Sequence, residues 1–168
     1  MKKISLILLV FIFFFEILPV HSQEAENETG LPLPRFASLR SNNINARSGP
    51  GARYPIEWVY MQKSAPVEII AEFELWRKIR DWQGSETWVH KSMLSGLRTI
   101  KVVTPGENNL YEKPDYSSRV IARVEDEVVG EIISCSKDSD FCEVKFDNIE
   151  GWIVKRDIFG VKYNEDVD

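Results

Sequence analysis

The sequence predicts an all-β chain made of two tandem copies of one small module, preceded by an export signal. The first observation behind this is a repeat. Asn45-Ala46-Arg47-Ser48-Gly49-Pro50 returns 64 positions later as Asn109-Leu110-Tyr111-Glu112-Lys113-Pro114. Trp88-Val89-His90-Lys91 returns at the same offset as Trp152-Ile153-Val154-Lys155, and Gly96 as Gly160. A constant offset at both ends means that a whole unit is duplicated. Its length suits a small domain, since solenoid repeats are usually shorter and come in threes or more. The second observation is short apolar alternation of period two with no sustained helical stripe. The third is the layout of the first residues.

Lys2 and Lys3 give a positive start, and Ile4 to Phe15 is an unbroken apolar run of signal-core length. Glu16 interrupts it, leaving less apolar chain than the roughly 20 residues that span a bilayer. Val20-His21-Ser22 places acceptable residues before a cut at Gln23. The reading is a cleaved signal peptide over 1–22, with an uncleaved membrane anchor as the alternative. Residues 23–34 are acidic, then carry Gly30 and two prolines, and read as a solvated linker. The acidic tail beyond Gly160 reads the same way.

Within the first repeat, a Gly/Pro/Asn-rich loop from Asn42 to Pro55 precedes a strand at Ile56 to Tyr60. Val67, Ile69, Ala71 and Phe73 are expected on one strand face, with Glu68 and Glu72 on the opposite, solvated face. Glu74-Leu75 turns the chain into Trp76-Arg77-Lys78-Ile79-Arg80. Trp88-Val89-His90 is a third short strand, and Lys91 to Leu94 a single helical turn. The second repeat follows the same course, with Ile133 and Cys135 at the positions of Ile69 and Ala71, Phe141 for Trp76 and Val144 for Ile79. Its hairpin turn is read as one residue longer and the next connection as one shorter, which returns Trp152 to register with Trp88.

Both cysteines, Cys135 and Cys142, flank this turn. A structural zinc site would need carboxylates to complete it, and these are seldom used. An exported chain favours a disulfide between them, which also staples a module too small to bury much surface. No metal and no cofactor are expected.

Composition narrows the function classes. Residues 37–96 carry eight basic and six acidic side chains, and residues 97–160 nine and thirteen. Neither half has the basic excess that would point to nucleic acid. Catalysis lacks a nucleophile pair if the cysteines are bonded, and His90, the only histidine after the signal, has the aliphatic counterpart Val154. The carboxylates Glu68, Glu72 and Glu74 read as a strand face. The chain is not expected to be an enzyme.

Ile44-Asn45-Ala46-Arg47-Ser48-Gly49-Pro50-Gly51 resembles the opening signature of bacterial SH3-like (SH3b) domains. Val67-Glu68-Ile69-Ile70, Trp76-Arg77-Lys78-Ile79 and Trp88-Val89 agree in order. Arg53-Tyr54-Pro55-Ile56-Glu57-Trp58-Val59-Tyr60 is similar to an exported bacterial family with two such domains, and Cys135, Phe141-Cys142-Glu143-Val144 and Gly151-Trp152 match its related pattern in the second. Tyr111-Glu112-Lys113 departs from the Arg-Ser-Gly of the first repeat. The resemblance implies two tandem SH3-like barrels of short antiparallel strands, over 35–96 and 97–161, followed by an acidic tail over 162–168. It implies binding, not catalysis, although fold alone says little about function.

Four of the five tryptophans lie in the first repeat. Trp76, Trp88, Phe141 and Trp152 match one another across the repeats and are expected as framework. Trp58, Trp82 and Tyr54 face Ala122, Phe146 or Asp147, and Ser118, so the shared frame does not need them. Amphipathic rings at such places stack on sugars or peptides. Arg47 is a further candidate for a ligand carboxylate, with clamping of its own loop as the alternative. A cleft between the barrels, lined from Trp82 to the chain near Leu97, is a second possible place. The expected function is a non-catalytic, monomeric binding module of the bacterial envelope, periplasmic or secreted and not inserted in the membrane after signal cleavage. It would recognise an envelope protein or a peptidoglycan peptide through the first domain. An accessory or regulator of a wall hydrolase is the alternative, and a secreted enzyme the distant one.

Overall fold

The computed structural model describes residues 29–168. The signal peptide and the first half of the expected linker, residues 23–28, lie outside the described residues. Strands of the first module are β1 (Arg35–Leu39), β2 (Ile44–Arg47), β3 (Ile56–Tyr60), β4 (Pro66–Phe73), β5 (Trp76–Arg80), β6 (Glu86–His90) and β7 (Leu94–Ser95). Those of the second are β8 (Thr99–Val102), β9 (Glu107–Tyr111), β10 (Val120–Glu125), β11 (Val129–Cys135), β12 (Phe141–Phe146), β13 (Ile149–Val154) and β14 (Ile158–Phe159). Each module forms one seven-stranded sheet, ordered β3-β2-β6-β5-β4-β1-β7 and β10-β9-β13-β12-β11-β8-β14. Shifted by seven, the two orders are identical: two antiparallel SH3-like units.

Alternation builds each core. On β5, Arg77 and Ile79 point inward between half-buried Trp76, Lys78 and Arg80. The first core is aliphatic, centred on Ile44, Val67, Ile69, Ile79 and Val89. The second centres on Ile100, Val102, Leu110, Val144 and Ile153 with both cysteines. Trp76, Trp88 and Trp152 are half-buried beside these cores instead of filling them. After β6 and β13 a single 3-10 turn follows, at Lys91–Met93 and Lys155–Asp157. His90 caps the first, its Nδ1 accepting from the Ser92 amide, while Val154 offers no such cap.

The simple alternation expected on β4 fails at a bulge between Ile69 and Ala71. An extra residue there reverses the faces that follow. Phe73 is therefore exposed, and the Glu72 side chain, expected in solvent, is fully buried against Arg35 and Arg77. On β11 the bulge falls between Ile132 and Ser134. Ile132 pairs with Val144 as Ile69 pairs with Ile79, so Ile132, not Ile133, takes the inward place, and Ile133 is 36% exposed. Cys135 then matches Glu72, not Ala71. The hairpin of the second module is two residues longer, and one residue is lost on each side of it.

The modules touch. Thr99 Oγ1 donates to the Ser64 carbonyl at 2.7 Å, and the Phe36 and Phe159 rings meet edge to face at 5.2 Å. The final segment is not a solvated tail. Val167 is buried and exchanges two backbone hydrogen bonds with Cys135, while Glu165 pairs with Arg98 at 2.7 Å.

Candidate functional site

Trp58 on β3 and Trp82, just past β5, come together on either side of Tyr60. Ring centroids lie 6.1 Å apart for Trp58–Tyr60 and 6.2 Å for Tyr60–Trp82. One side of this trio packs on the first core; the other lines a groove of about 410 Å³ shared with the second module. Val59 of edge strand β3 continues the wall, Met61 and Gln62 extend it just past the end of that strand, and Lys101 and Glu127 face it from across the boundary.

Lys101 is the pivot of the groove. It sits on β8 between Ile100 and Val102 and is 1% exposed. Its ammonium lies 3.8 Å from the centre of the Trp82 ring, where the negative face of the indole attracts a cation. It also donates to Gln62 Oε1 and pairs with the exposed Glu127 carboxylate. Gln62 in turn donates to the Glu127 carbonyl at 3.0 Å. A buried cation with this set of partners ties the two modules together and fixes the Trp82 ring.

Asp81 organises the opposite end. Its Oδ1 accepts from the amides of Gln83 and Ser85, closing the turn that carries Trp82, and its Oδ2 accepts from the Tyr60 hydroxyl at 3.0 Å. Burial, with the Asp81 carboxylate beside it, pushes the Tyr60 phenol up to about 12. Tyr60 therefore stays a neutral donor to Asp81.

Arg47 and Tyr54 do not line this groove. Arg47 Nη1 donates to the Tyr54 carbonyl at 2.7 Å, pinning the loop after β2. The Tyr54 ring lies so close under Gly49 that a β-carbon there would fall 2.4 Å from it. Tyr111 stands where Arg47 stands, each pairing with the tryptophan of the neighbouring strand. Lys101, Gln62, Asp81 and Glu127 escaped the sequence reading. The one signal was Lys101 itself, a lone charge inside the apolar run Ile100 to Val103.

A family model described as "Bacterial SH3 domain" matches residues 40–96 and again residues 104–160. The chain belongs to the bacterial SH3 domain family. The chain aligns with "Structure of NlpC2 from Trichomonas vaginalis" at 17% identity and a TM-score of 0.34, covering 75% of this chain and 48% of that one. "Structure of NlpC1 from Trichomonas vaginalis" aligns at 17% identity and a TM-score of 0.33, covering 77% and 46%. The chain thus spans about half the length of these two proteins. No curated protein matches it. Among the described residues, no helix is long and apolar enough to cross a membrane.

Proposed function

We propose that this tandem SH3 protein is a non-catalytic recognition module of the bacterial cell envelope. Its groove would receive an extended peptide, from peptidoglycan or from an envelope protein. The observation that carries the reading is the convergence of Trp58 and Trp82 with Lys101 of the other domain on one groove. Trp58 and Trp82 are half-buried, and aromatic rings held rigidly in a groove wall bind flat or extended ligands at low entropic cost. The open edge of β3 offers unpaired main-chain groups along the same wall, which favours a peptide over a bare glycan. Membership of the bacterial SH3 family and the Cys135–Cys142 disulfide support an extracytoplasmic setting.

Tryptophan fluorescence of the two-domain protein would be titrated with peptidoglycan-derived peptides and with peptide-free glycan chains. The reading expects saturable quenching by the peptides alone, lost in Trp82→Ala. Quenching by glycan alone would assign the groove to sugar. No response to either would move the weight to a peptide of protein origin.

A further inference from the structure

The second SH3 domain carries an aromatic surface of its own, away from the groove residues. Tyr116 lies 4.7 Å from Phe141 and 6.5 Å from Tyr111, and Tyr111 meets Phe141 edge to face at 5.7 Å, ring centre to ring centre. Phe141, Tyr111 and Val154 form a small apolar cluster with Trp152 beside it. Above it, Tyr116 is 53% exposed and Tyr163 is 64% exposed. The shared frame does not ask for these rings. At the 64-residue offset Arg47 and Ala52 stand in place of Tyr111 and Tyr116, and Tyr163 lies beyond the repeat. The loop is built to hold Tyr116 out: Asp115 Oδ1 accepts from both the amide and the hydroxyl of Ser117.

The charges around these rings are mostly negative. Asp115 flanks Tyr116, and Asp140 accepts a hydrogen bond from the Tyr163 hydroxyl. The Ser117 hydrogen bonds hold the Asp115 carboxyl below its ordinary value, so it remains ionised. Asp138 is exposed on the adjacent turn. Nearby cations are engaged: Arg119 with Glu112, Lys137 with Asp166, and buried Lys155 with the carbonyls of Ser136 and Tyr163. Lys113 is the exposed cation on the same loop. Across residues 97–168, ten basic side chains stand against sixteen acidic ones.

We propose that this face, centred on Tyr116, Tyr163, Asp115 and Asp140, binds a cationic polypeptide segment. Tyrosine faces attract guanidinium and ammonium groups, and flanking carboxylates draw such a chain in and orient it. Buried Lys155 lies 5.5 Å from the centre of the Tyr163 ring, as Lys101 lies 3.8 Å from that of Trp82 in the groove, so the half-exposed Tyr116 ring and the flanking carboxylates carry the recognition of a cation from outside. The two SH3 domains would then hold two different ligands.

The test is an NMR titration of the two-domain protein with an octa-arginine peptide, and separately with octa-glutamate. The proposal expects shifts concentrated at 111–118, 138–142 and 163 with octa-arginine only. Affinity should fall at least tenfold in Tyr116→Ala/Tyr163→Ala and again in Asp115→Asn/Asp140→Asn, which leaves the rings in place. Trp58→Ala should bind octa-arginine as the parent does. Shifts centred elsewhere, equal binding of octa-glutamate, or full affinity after loss of either the rings or the carboxylates would overturn it. The last of these would reduce the effect to diffuse attraction.

Discussion

Cys135 and Cys142 form a disulfide at the cross-strand position that Glu72 and Arg77 fill with a buried ion pair in the first SH3 domain. In each domain the pair lies just past the bulge that turns the strand inward. Both devices tie β4 to β5, or β11 to β12, beside the hairpin. One is covalent and closes a short loop; the other is electrostatic and recruits Arg35 from β1 as a third member.

Reduction, or Cys135→Ala with Cys142→Ala, is expected to cost the second domain about 2–3 kcal/mol, from the entropy returned to a short unfolded loop. Denaturant unfolding followed by the fluorescence of Trp76 and Trp88 should leave the first domain unchanged. Equal loss in both domains would contradict the local role.

Glu72→Ala should cost the first domain about 3–5 kcal/mol, because Arg77 would be left buried without its partner. Burial alone would raise the Glu72 carboxyl, but hydrogen bonds from Arg35 and Thr29, with Arg77 beside it, hold it below its ordinary value of 4.5. A lowered folded value means that the pair stabilises fully above pH 4.5 and that this part is lost as pH falls through the folded value. Midpoints of urea unfolding at falling pH should show this loss in the parent and not in Glu72→Gln.

These two pairs also show what was legible in the sequence. The duplication, the sheet class and the disulfide follow from residue spacing and from the thiol chemistry expected if the chain is exported. The parity of Glu72 did not, because a bulge is an insertion into a pairing and leaves no mark in the alternation that precedes it. The same shift hid the match between Glu72 and Cys135. Trp58 and Trp82 stood out as aromatic positions without counterparts, and the structure brings both to one groove. Lys101, Gln62 and Glu127 were hidden because their meeting depends on how one domain sits on the other. The segment at 162–168 looked solvated from its charges, yet Val167 and Glu165 are held by partners far away in sequence.

Lys101→Met is expected to loosen the two domains and to cost about 2 kcal/mol, the scale of a desolvated cation–π contact. Glu127→Gln should cost less than about 1 kcal/mol, because its carboxylate is largely exposed. Trp82 emission should shift in the first variant and stay in place in the second. Equal effects would mean that the ion pair, not the ring contact, holds the lysine.

Removing residues 163–168 should destabilise the second domain by about 2–4 kcal/mol, from buried Val167, its two backbone bonds to Cys135 and the Arg98–Glu165 pair. Thermal unfolding of the truncated chain checks this. An unchanged midpoint would return the segment to the role of a solvated tail.

The most direct measurement is co-sedimentation of the two-domain protein with purified, protein-free peptidoglycan, beside a folded Trp58→Ala/Trp82→Ala variant. Saturable binding by the parent, reduced at least tenfold in the variant, is the result that groove recognition of a wall peptide predicts. Undiminished binding by the variant would contradict the groove as the recognition site.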